Sequence, residues 1–318
     1  MKKLKALALF TVAAGAAGFY ALNNLAHEAL ISRNFTVPES FSKKLSEVGE
    51  NEFEEKGKEN YEWLKAQSIE EFTRINDRGL KLQGYLLRPE KESDVYVFGS
   101  HGYRSDGMGE WCHYAKHYVE DLGFNMFFVD HQSAGKSEGE YIGFASYESQ
   151  DGLKWLDFMT ETFGSDIKII LHGISMGSTT VMLMTGSDKL PSNVKFTVAD
   201  CGFTSALDEF NYKLENLNFP KFPLVPVVSA INRRKVGYDF GKDTNALEAV
   251  KKAKTPMLFI HGGNDKFVPT YMCYLLHHTC ESEYKDILIV DGADHAQSYM
   301  VDPKSYENKI NEFVEKFI

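Results

Sequence analysis

The sequence predicts an α/β fold with a mostly parallel, doubly wound sheet and helices on both of its faces. Short, almost continuously apolar runs recur along the chain, as expected of strands buried on both faces of a parallel sheet. These runs are Val95–Gly99, Phe124–Val129, Ile167–Leu171, Phe196–Ala199, Met257–Ile260 and Ile287–Val290. Stretches with helical periodicity separate them, for example Trp111–Leu122, Tyr147–Phe163, Met176–Thr185 and Tyr271–Thr279. Such strand–helix alternation is typical of right-handed crossovers in a single sheet.

Two alternating strands precede this region. Ile69–Ile75 and Leu80–Leu87 flank the turn Asn76-Asp77-Arg78-Gly79, which predicts an antiparallel hairpin. Upstream, Leu45–Lys65 holds seven Glu against three Lys and predicts a mostly helical, solvated stretch. The regular spacing breaks once, between Ala199 and Met257, where an insertion carries Pro220, Pro223 and Pro226.

Composition excludes several classes of protein. The 318 residues are 43% hydrophobic and 25% charged, which is close to the average of soluble globular proteins. The net charge of −10 argues against a broad nucleic-acid-binding face, which would need clustered Lys and Arg. Four scattered cysteines without a Cys-x-x-Cys pair do not form a disulfide scaffold or a structural zinc site, and the ten histidines show no metal-ligand spacing. The sequence therefore predicts no metal and no cofactor.

The amino terminus predicts a membrane segment. Lys2, Lys3 and Lys5 precede an uncharged run from Ala6 to Ala26, whose apolar part is just short of a bilayer core in length. We expect residues 1–28 to be an uncleaved single-pass anchor, with the basic end in the cytoplasm and the rest of the chain outside it. A cleaved signal, which would give a secreted protein, is the alternative. Residues 29–68 then form an acidic helical extension, and residues 69–318 the main domain.

A nucleophile elbow follows the strand Ile167–Leu171. Gly173-Ile174-Ser175-Met176-Gly177 has the pattern Gly-x-Ser-x-Gly between a strand and a helix. A tight turn there lifts the Ser175 hydroxyl to the carboxyl end of the sheet, and the N–H of Met176 at the helix start can face a developing oxyanion. Gly135-Lys136-Ser137-Glu138-Gly139 matches the same pattern, but no apolar helix follows it, which predicts a polar loop.

The base and the acid are expected at later strand ends. His295 follows Ile287–Val290, and Asp265 follows Met257–Ile260, on the same edge as Ser175. Asp200 and Asp294 remain alternatives for the acid. The loop after Val95–Gly99 contains His101-Gly102-Tyr103, which makes the Tyr103 N–H the second candidate oxyanion donor and gives His101 a structural role. His172 and His261 are expected to hydrogen-bond backbone at their strand ends.

These residues resemble the α/β-hydrolase superfamily from about Ile69 to Ile318. More narrowly, the chain resembles bacterial membrane-tethered or exported serine hydrolases, most of which are esterase-like. The segments that suggest this are Asp130 with Gly135–Gly139, Glu148 and Asp151 before Trp155, Asp200–Ser205, Phe222-Pro223-Leu224 and Gly237–Phe240. The resemblance implies the α/β-hydrolase fold, a triad of Ser175, Asp265 and His295, and a small helical lid at about 206–253.

The function expected from these features is hydrolysis of small-molecule acyl esters by a serine carboxylesterase. A serine peptidase or an acyltransferase would start from the same acyl-enzyme, and a non-catalytic, surface-anchored binding module is the alternative from another class. Lid aromatics Phe210, Tyr212, Phe219 and Phe222 are candidates for lining the acyl pocket. The sequence does not predict an oligomeric state.

Overall fold

The computed structural model of the protein describes residues 18–35 and 50–318. Helix α1 spans residues 18–31, and α2 spans Glu50–Lys65. The strands are β1 (Ile69–Ile75), β2 (Lys81–Leu87), β3 (Val95–Ser100), β4 (Asn125–Asp130), β5 (Lys168–Ile174), β6 (Val194–Asp200), β7 (Met257–Gly262) and β8 (Lys285–Val290). The further helices are α3 (Gly107–Trp111), α4 (Ser146–Phe163), α5 (Met176–Thr185), α6 (Ala206–Asn216), α7 (Leu224–Lys235), α8 (Ala246–Val250), α9 (Tyr271–Thr279), α10 (Ser298–Val301) and α11 (Pro303–Phe317).

Within these residues, eight strands form one sheet in the order β1-β2-β4-β3-β5-β6-β7-β8. Strands β1 and β2 are antiparallel to their neighbours, and β3 to β8 pair in parallel. The predicted mostly parallel α/β sheet is confirmed, and the order and the layers are those of the α/β-hydrolase fold. The carboxyl ends of β5, β7 and β8 therefore meet at one edge of the sheet, which is where α/β folds place their sites.

Helices cover both faces of the sheet. On one face, Trp111, Tyr306 and Phe313 from α3 and α11 are fully buried against β3, β5 and β6. On the other face, Trp155 of α4 and Val181 of α5 pack against the opposite sides of the same strands. Burial of one such side chain contributes about 1.5–3 kcal/mol, so these two layers hold the sheet edge in place.

One predicted helix is wrong. The sequence suggests a continuous helix over Trp111–Leu122, but the chain forms the short helix α3 and then a π-helical turn over His117–Asp121. The carboxylate of Asp106 accepts a hydrogen bond from the Gly109 N–H, and this cap starts α3 earlier than the apolar pattern suggests.

The insertion after β6 forms α6, α7 and α8, in agreement with the expected helical lid. Helix α1 packs against this lid, because the imidazole of His27 is fully buried with Nε2 3.2 Å from Oδ1 of Asn232. Ile31 is also fully buried, and residue 32 forms a β-bridge with residue 141. Helix α1 thus continues across the expected boundary at residue 28.

The membrane-segment prediction falls mostly on residues 1–17, which lie outside the described residues. In the parts that the structure describes, 18–35 and 50–318, no helix is both long enough and apolar enough to cross a bilayer.

Candidate active site

Ser175 occupies a strained turn between β5 and α5. Its backbone has φ 55° and ψ −115°, a conformation that L-residues rarely adopt and that active sites often contain. The flanking glycines are sterically required. A Cβ on Gly173 would lie 2.1 Å from the Gly177 carbonyl oxygen, and one on Gly177 would lie 1.9 Å from the Ser100 carbonyl oxygen. The Gly-x-Ser-x-Gly pattern therefore lets β5, α5 and the end of β3 approach closely.

A continuous hydrogen-bonded line connects the three predicted triad residues. Nε2 of His295 lies 2.8 Å from Oγ of Ser175, and Nδ1 of His295 lies 2.7 Å from Oδ2 of Asp265. Asp265 is held by its own loop, because its Oδ1 accepts hydrogen bonds from the N–H groups of Phe267 and Val268. This is the geometry that a serine nucleophile, a general base and an orienting carboxylate require.

Asp265 also contacts a second imidazole. Nε2 of His261 lies 2.9 Å from the Val268 carbonyl oxygen and 3.2 Å from Oδ2 of Asp265. Burial alone would raise the pKa of Asp265, but the hydrogen bonds from His261 and His295 outweigh it and hold that pKa well below its usual range. Asp265 is therefore an ionised carboxylate at neutral pH, as the partner of an imidazolium must be. The sequence predicts the backbone contact of His261 but not its contact with Asp265, because no local periodicity signals the second contact.

Asp200, the alternative acid, lies in a different environment. Its side chain is fully buried, and Oδ2 accepts a hydrogen bond of 2.9 Å from the hydroxyl of Tyr306. Burial raises the pKa of Asp200 to about 7. Its main-chain carbonyl accepts the Ser175 N–H at 2.8 Å, so the residue supports the elbow through its backbone. Asp294 does not contact His295 through its carboxylate in any hydrogen bond of the described residues.

The loop after β3 lies beside the elbow. A Cβ on Gly102 would be 3.4 Å from Cβ of Ser175, and the Gly102 N–H donates to the carboxylate of Glu110 at 3.1 Å. Tyr103 follows Gly102 and packs in the same apolar cluster as Met176, the first residue of α5. His101 is buried, and its Nε2 accepts a hydrogen bond from the His131 N–H at 3.0 Å.

The side chains of Ser137 and His172 are hydrogen-bonded to groups outside the triad. Ser137 of the second Gly-x-Ser-x-Gly pattern is buried; its hydroxyl donates to the Asp130 carbonyl at 2.6 Å and accepts the Gln83 N–H at 2.9 Å. The expected backbone contact of His172 is wrong: its two ring nitrogens lie 2.9 Å from the hydroxyls of Tyr118 and Tyr306.

The lid aromatics are divided between the interior and the surface. Phe210 packs edge-on against Phe144 at a centroid distance of 5.0 Å, and Phe144 in turn lies 5.0 Å from the ring of Tyr103. Tyr212 is half-buried near Tyr271. Phe219 and Phe222 are 59% and 79% exposed, so they project into solvent.

Charged lid residues reach the triad through Phe267. The ring of Phe267 lies 4.8 Å from that of His295, and Nζ of Lys213 lies 3.3 Å from the centroid of Phe267. Lys213 pairs with the buried carboxylate of Glu209 at 3.4 Å. The sequence does not predict these contacts, because the charged residues of α6 have the pattern of an ordinary solvent-exposed helix face.

One group of side chains could offer ligands to a metal ion. Nδ1 of His117 lies 3.1 Å from Oδ2 of Asp121 and 3.9 Å from Oε1 of Glu307. The shorter of these distances is that of a direct hydrogen bond, and within the described residues no hydrogen bond of this group involves Ser175 or His295.

The chain is similar to known proteins over most of its length. No family model matches it. It is 26% identical over 238 residues to the uncharacterized protein YqkD of Bacillus subtilis (strain 168). This match covers 74% of this chain and 76% of that protein. It is 24% identical over 250 residues to the monoglyceride lipase of Mus musculus, covering 70% of this chain and 82% of that enzyme. Among solved structures, the Pyrococcus furiosus esterase Pf2001 superposes with a TM-score of 0.61 at 21% identity, covering 79% of this chain and 93% of that one. The similarity to the esterase agrees with the α/β-hydrolase fold described above.

Proposed function

We propose that this protein is a serine hydrolase that cleaves carboxylic esters of small molecules through an acyl-enzyme. The observation that carries the proposal is the hydrogen-bonded line from Ser175 through His295 to Asp265 on the strained elbow. The names of the mouse monoglyceride lipase and the Pyrococcus furiosus esterase support ester bonds as the class of substrate.

The mechanism follows from the position of each group. Oγ of Ser175 attacks the ester carbonyl carbon while Nε2 of His295 takes its proton, and the Asp265 carboxylate holds the ring and stabilises the imidazolium. The N–H groups of Met176 and Tyr103 are the proposed donors to the oxyanion. His295 then gives the proton to the leaving alkoxide, and in the second half a water molecule attacks the acyl-enzyme with His295 again as the base. The proposed chemistry requires neither a metal nor a cofactor.

Labelling and turnover test this function together. A fluorophosphonate probe should form one covalent adduct, at Ser175, and the protein should hydrolyse short p-nitrophenyl esters. A peptide substrate series and an added alcohol acceptor distinguish a peptidase and an acyltransferase from a simple esterase. A protein that neither labels at Ser175 nor hydrolyses any ester would be the non-catalytic binding module.

The amino-terminal segment supports a further proposal about location. We propose that the catalytic domain lies outside the cytoplasm, attached to the membrane by residues 1–28, or that it is secreted if that segment is cleaved. Within the described part of this segment, four apolar side chains of α1 are exposed, and they suit an interface with lipid: Phe19, Tyr20, Leu22 and Leu25. Membrane fractionation and amino-terminal sequencing of the mature protein distinguish an anchor from a cleaved signal.

A further inference from the structure

An open groove includes the catalytic histidine in its lining. Its volume is about 640 Å³, within the usual range for small-molecule sites. It lies between α2, the segment 109–114 and the segment 295–300. Tyr61, His113, Tyr114, His295, Gln297 and Met300 are among the residues that line it. The candidate lid residues are not part of this lining.

His295 is the most exposed residue of the triad. Its side chain is 21% exposed, whereas the side chain of Asp265 is completely buried and Ser175 is buried. One face of the His295 ring is covered by Phe267. His295 is also one of the residues that line the groove, so the groove meets the triad at this residue.

The proposed chemistry determines which half of an ester occupies this space. When the tetrahedral intermediate collapses, the bond between the carbonyl carbon and the alkoxy oxygen breaks, and Nε2–H of His295 transfers its proton to that oxygen. The alkoxy oxygen must then be within hydrogen-bonding distance of His295, and its substituent extends into the space beside the ring. We infer that the groove holds the alcohol half of the substrate and that α2 forms one of its walls. This inference rests on the proposed function.

Helix α2 is fixed in this position by contacts with the main domain. A Cβ on Gly57 would lie 3.2 Å from Cε1 of His113, so the helix backbone packs directly on that imidazole. Leu64 is fully buried, and Nε1 of Trp63 donates to the carboxylate of Glu120 at 3.2 Å. Helix α2 is thus a structural wall of the groove and provides Tyr61, a residue that is 38% exposed.

The lining selects for a bulky alcohol. The lining includes the ring of Tyr61, the imidazole of His113 and the flexible thioether of Met300. These groups suit an aromatic ring or a large hydrocarbon group. Lys58, Glu62 and Glu110 add polar groups to the same lining. The groove volume exceeds the need of methanol or ethanol by a wide margin. Alcohols of at least the size of benzyl alcohol are the chemical class that the site fits.

Three unactivated esters distinguish the effect of the alcohol group on turnover from that of the acyl group. Ethyl butyrate and benzyl butyrate share the acyl group, while ethyl butyrate and ethyl hexanoate share the alcohol. The wild type should prefer benzyl butyrate to ethyl butyrate in kcat/KM. Tyr61→Ala and Met300→Ala should each reduce that preference by about five- to tenfold, the loss expected from removing apolar contact, and should leave the ratio of hexanoate to butyrate unchanged. Tyr274→Ala, which removes an exposed tyrosine of α9 outside the groove, is the matched control and should change neither ratio.

A binding measurement tests the groove without turnover. Saturation-transfer NMR on the Ser175→Ala protein should detect benzyl alcohol, and the signal should fall in the Tyr61→Ala and Met300→Ala backgrounds but not with Tyr274→Ala. The inference is overturned if the ratio of benzyl to ethyl butyrate is unchanged in both groove variants, or if these variants change the ratio of hexanoate to butyrate instead. The esterase function stands in either case. Absence of all ester hydrolysis defeats the proposed function, and the NMR signal then still decides whether the groove binds the alcohol.

Discussion

The phenol hydroxyl of Tyr103 donates a hydrogen bond of 2.5 Å to the main-chain carbonyl of Leu30, which joins the loop beside the elbow to the amino-terminal segment. The neighbouring Arg104 strengthens this connection, since its guanidinium donates to the carbonyls of Ala29, Ser32 and Phe35. The segment from residue 27 to residue 35 therefore supports the loop that carries a proposed oxyanion donor.

Two truncations test this support. Removal of residues 1–17 should leave both the melting temperature and kcat close to those of the full chain. Removal of residues 1–35 should lower both, with kcat falling at least about tenfold, because Tyr103 and Arg104 lose their acceptors and Ile31 leaves the interior. Equal kcat and equal melting temperature for the two truncated proteins would contradict a supporting role.

The second Gly-x-Ser-x-Gly serine offers a contrast with Ser175. Ser137→Ala should keep most of the esterase activity, because the Ser137 hydroxyl is hydrogen-bonded to main-chain groups of Gln83 and Asp130 rather than to a general base. It should lower the free energy of unfolding by about 1–3 kcal/mol, since the buried Gln83 N–H loses its acceptor and the Asp130 carbonyl loses a donor. Denaturant titration and initial rates measure the two effects separately. A large loss of kcat in a folded Ser137→Ala protein would argue against Ser175 as the nucleophile.

The two buried aspartates should respond differently to the same substitution. Asp265→Asn should reduce kcat by about 10⁴ near neutral pH, because an amide holds the His295 ring in the wrong tautomer. Asp200→Asn should cost about tenfold or less, since the Asp200 side chain contacts Tyr306 rather than His295. Initial rates at matched folded fractions decide the matter, and a larger loss for Asp200→Asn would remove Asp265 from the triad.

Asp200 should also affect how stability depends on pH. In the unfolded chain an aspartate has a pKa of about 3.9, whereas burial raises the pKa of folded Asp200 to about 7. Between these values the unfolded state releases its proton while the folded state keeps it, so stability falls as the pH rises and then levels off above about 7. Asp200→Asn removes this contribution. Its free energy of unfolding should therefore fall less than that of the wild type between pH 4.5 and 7, and parallel curves would contradict the raised pKa.

Phe210 is the better candidate for a contact with the acyl chain. It reaches the ring of Tyr103 through Phe144, whereas Phe222 is 79% exposed. Phe210→Ala should change the preferred acyl length in a series of p-nitrophenyl esters, and Phe222→Ala serves as the exposed control with an unchanged profile. If Phe222→Ala changed the preferred acyl length and Phe210→Ala did not, the acyl chain would instead contact the exposed part of the lid.

Short apolar runs predict the sheet well because the burial of a strand depends on its own residues. The predicted run Met257–Ile260 and the observed strand β7 differ only at one end. The path of the chain after Trp111 could not be predicted in the same way, because a polar cap at Asp106 and a π-helical turn interrupt the apolar pattern. The contact between His261 and Asp265 depends on how a loop folds, and the wall that α2 provides depends on tertiary packing. Neither leaves a periodic signal in the sequence.

Ser175 is the proposed nucleophile of an ester hydrolase, and a labelling experiment tests this role. The wild-type protein, Ser175→Ala and Ser137→Ala are each treated with a fluorophosphonate and analysed by intact-mass spectrometry and peptide mapping, with p-nitrophenyl butyrate hydrolysis measured in parallel. We predict one adduct, on Ser175, in the wild type and in Ser137→Ala. In a folded Ser175→Ala protein we predict no adduct and a loss of turnover of up to about 10⁶. An adduct at another residue, or ester hydrolysis that persists in Ser175→Ala, would show that Ser175 is not the nucleophile.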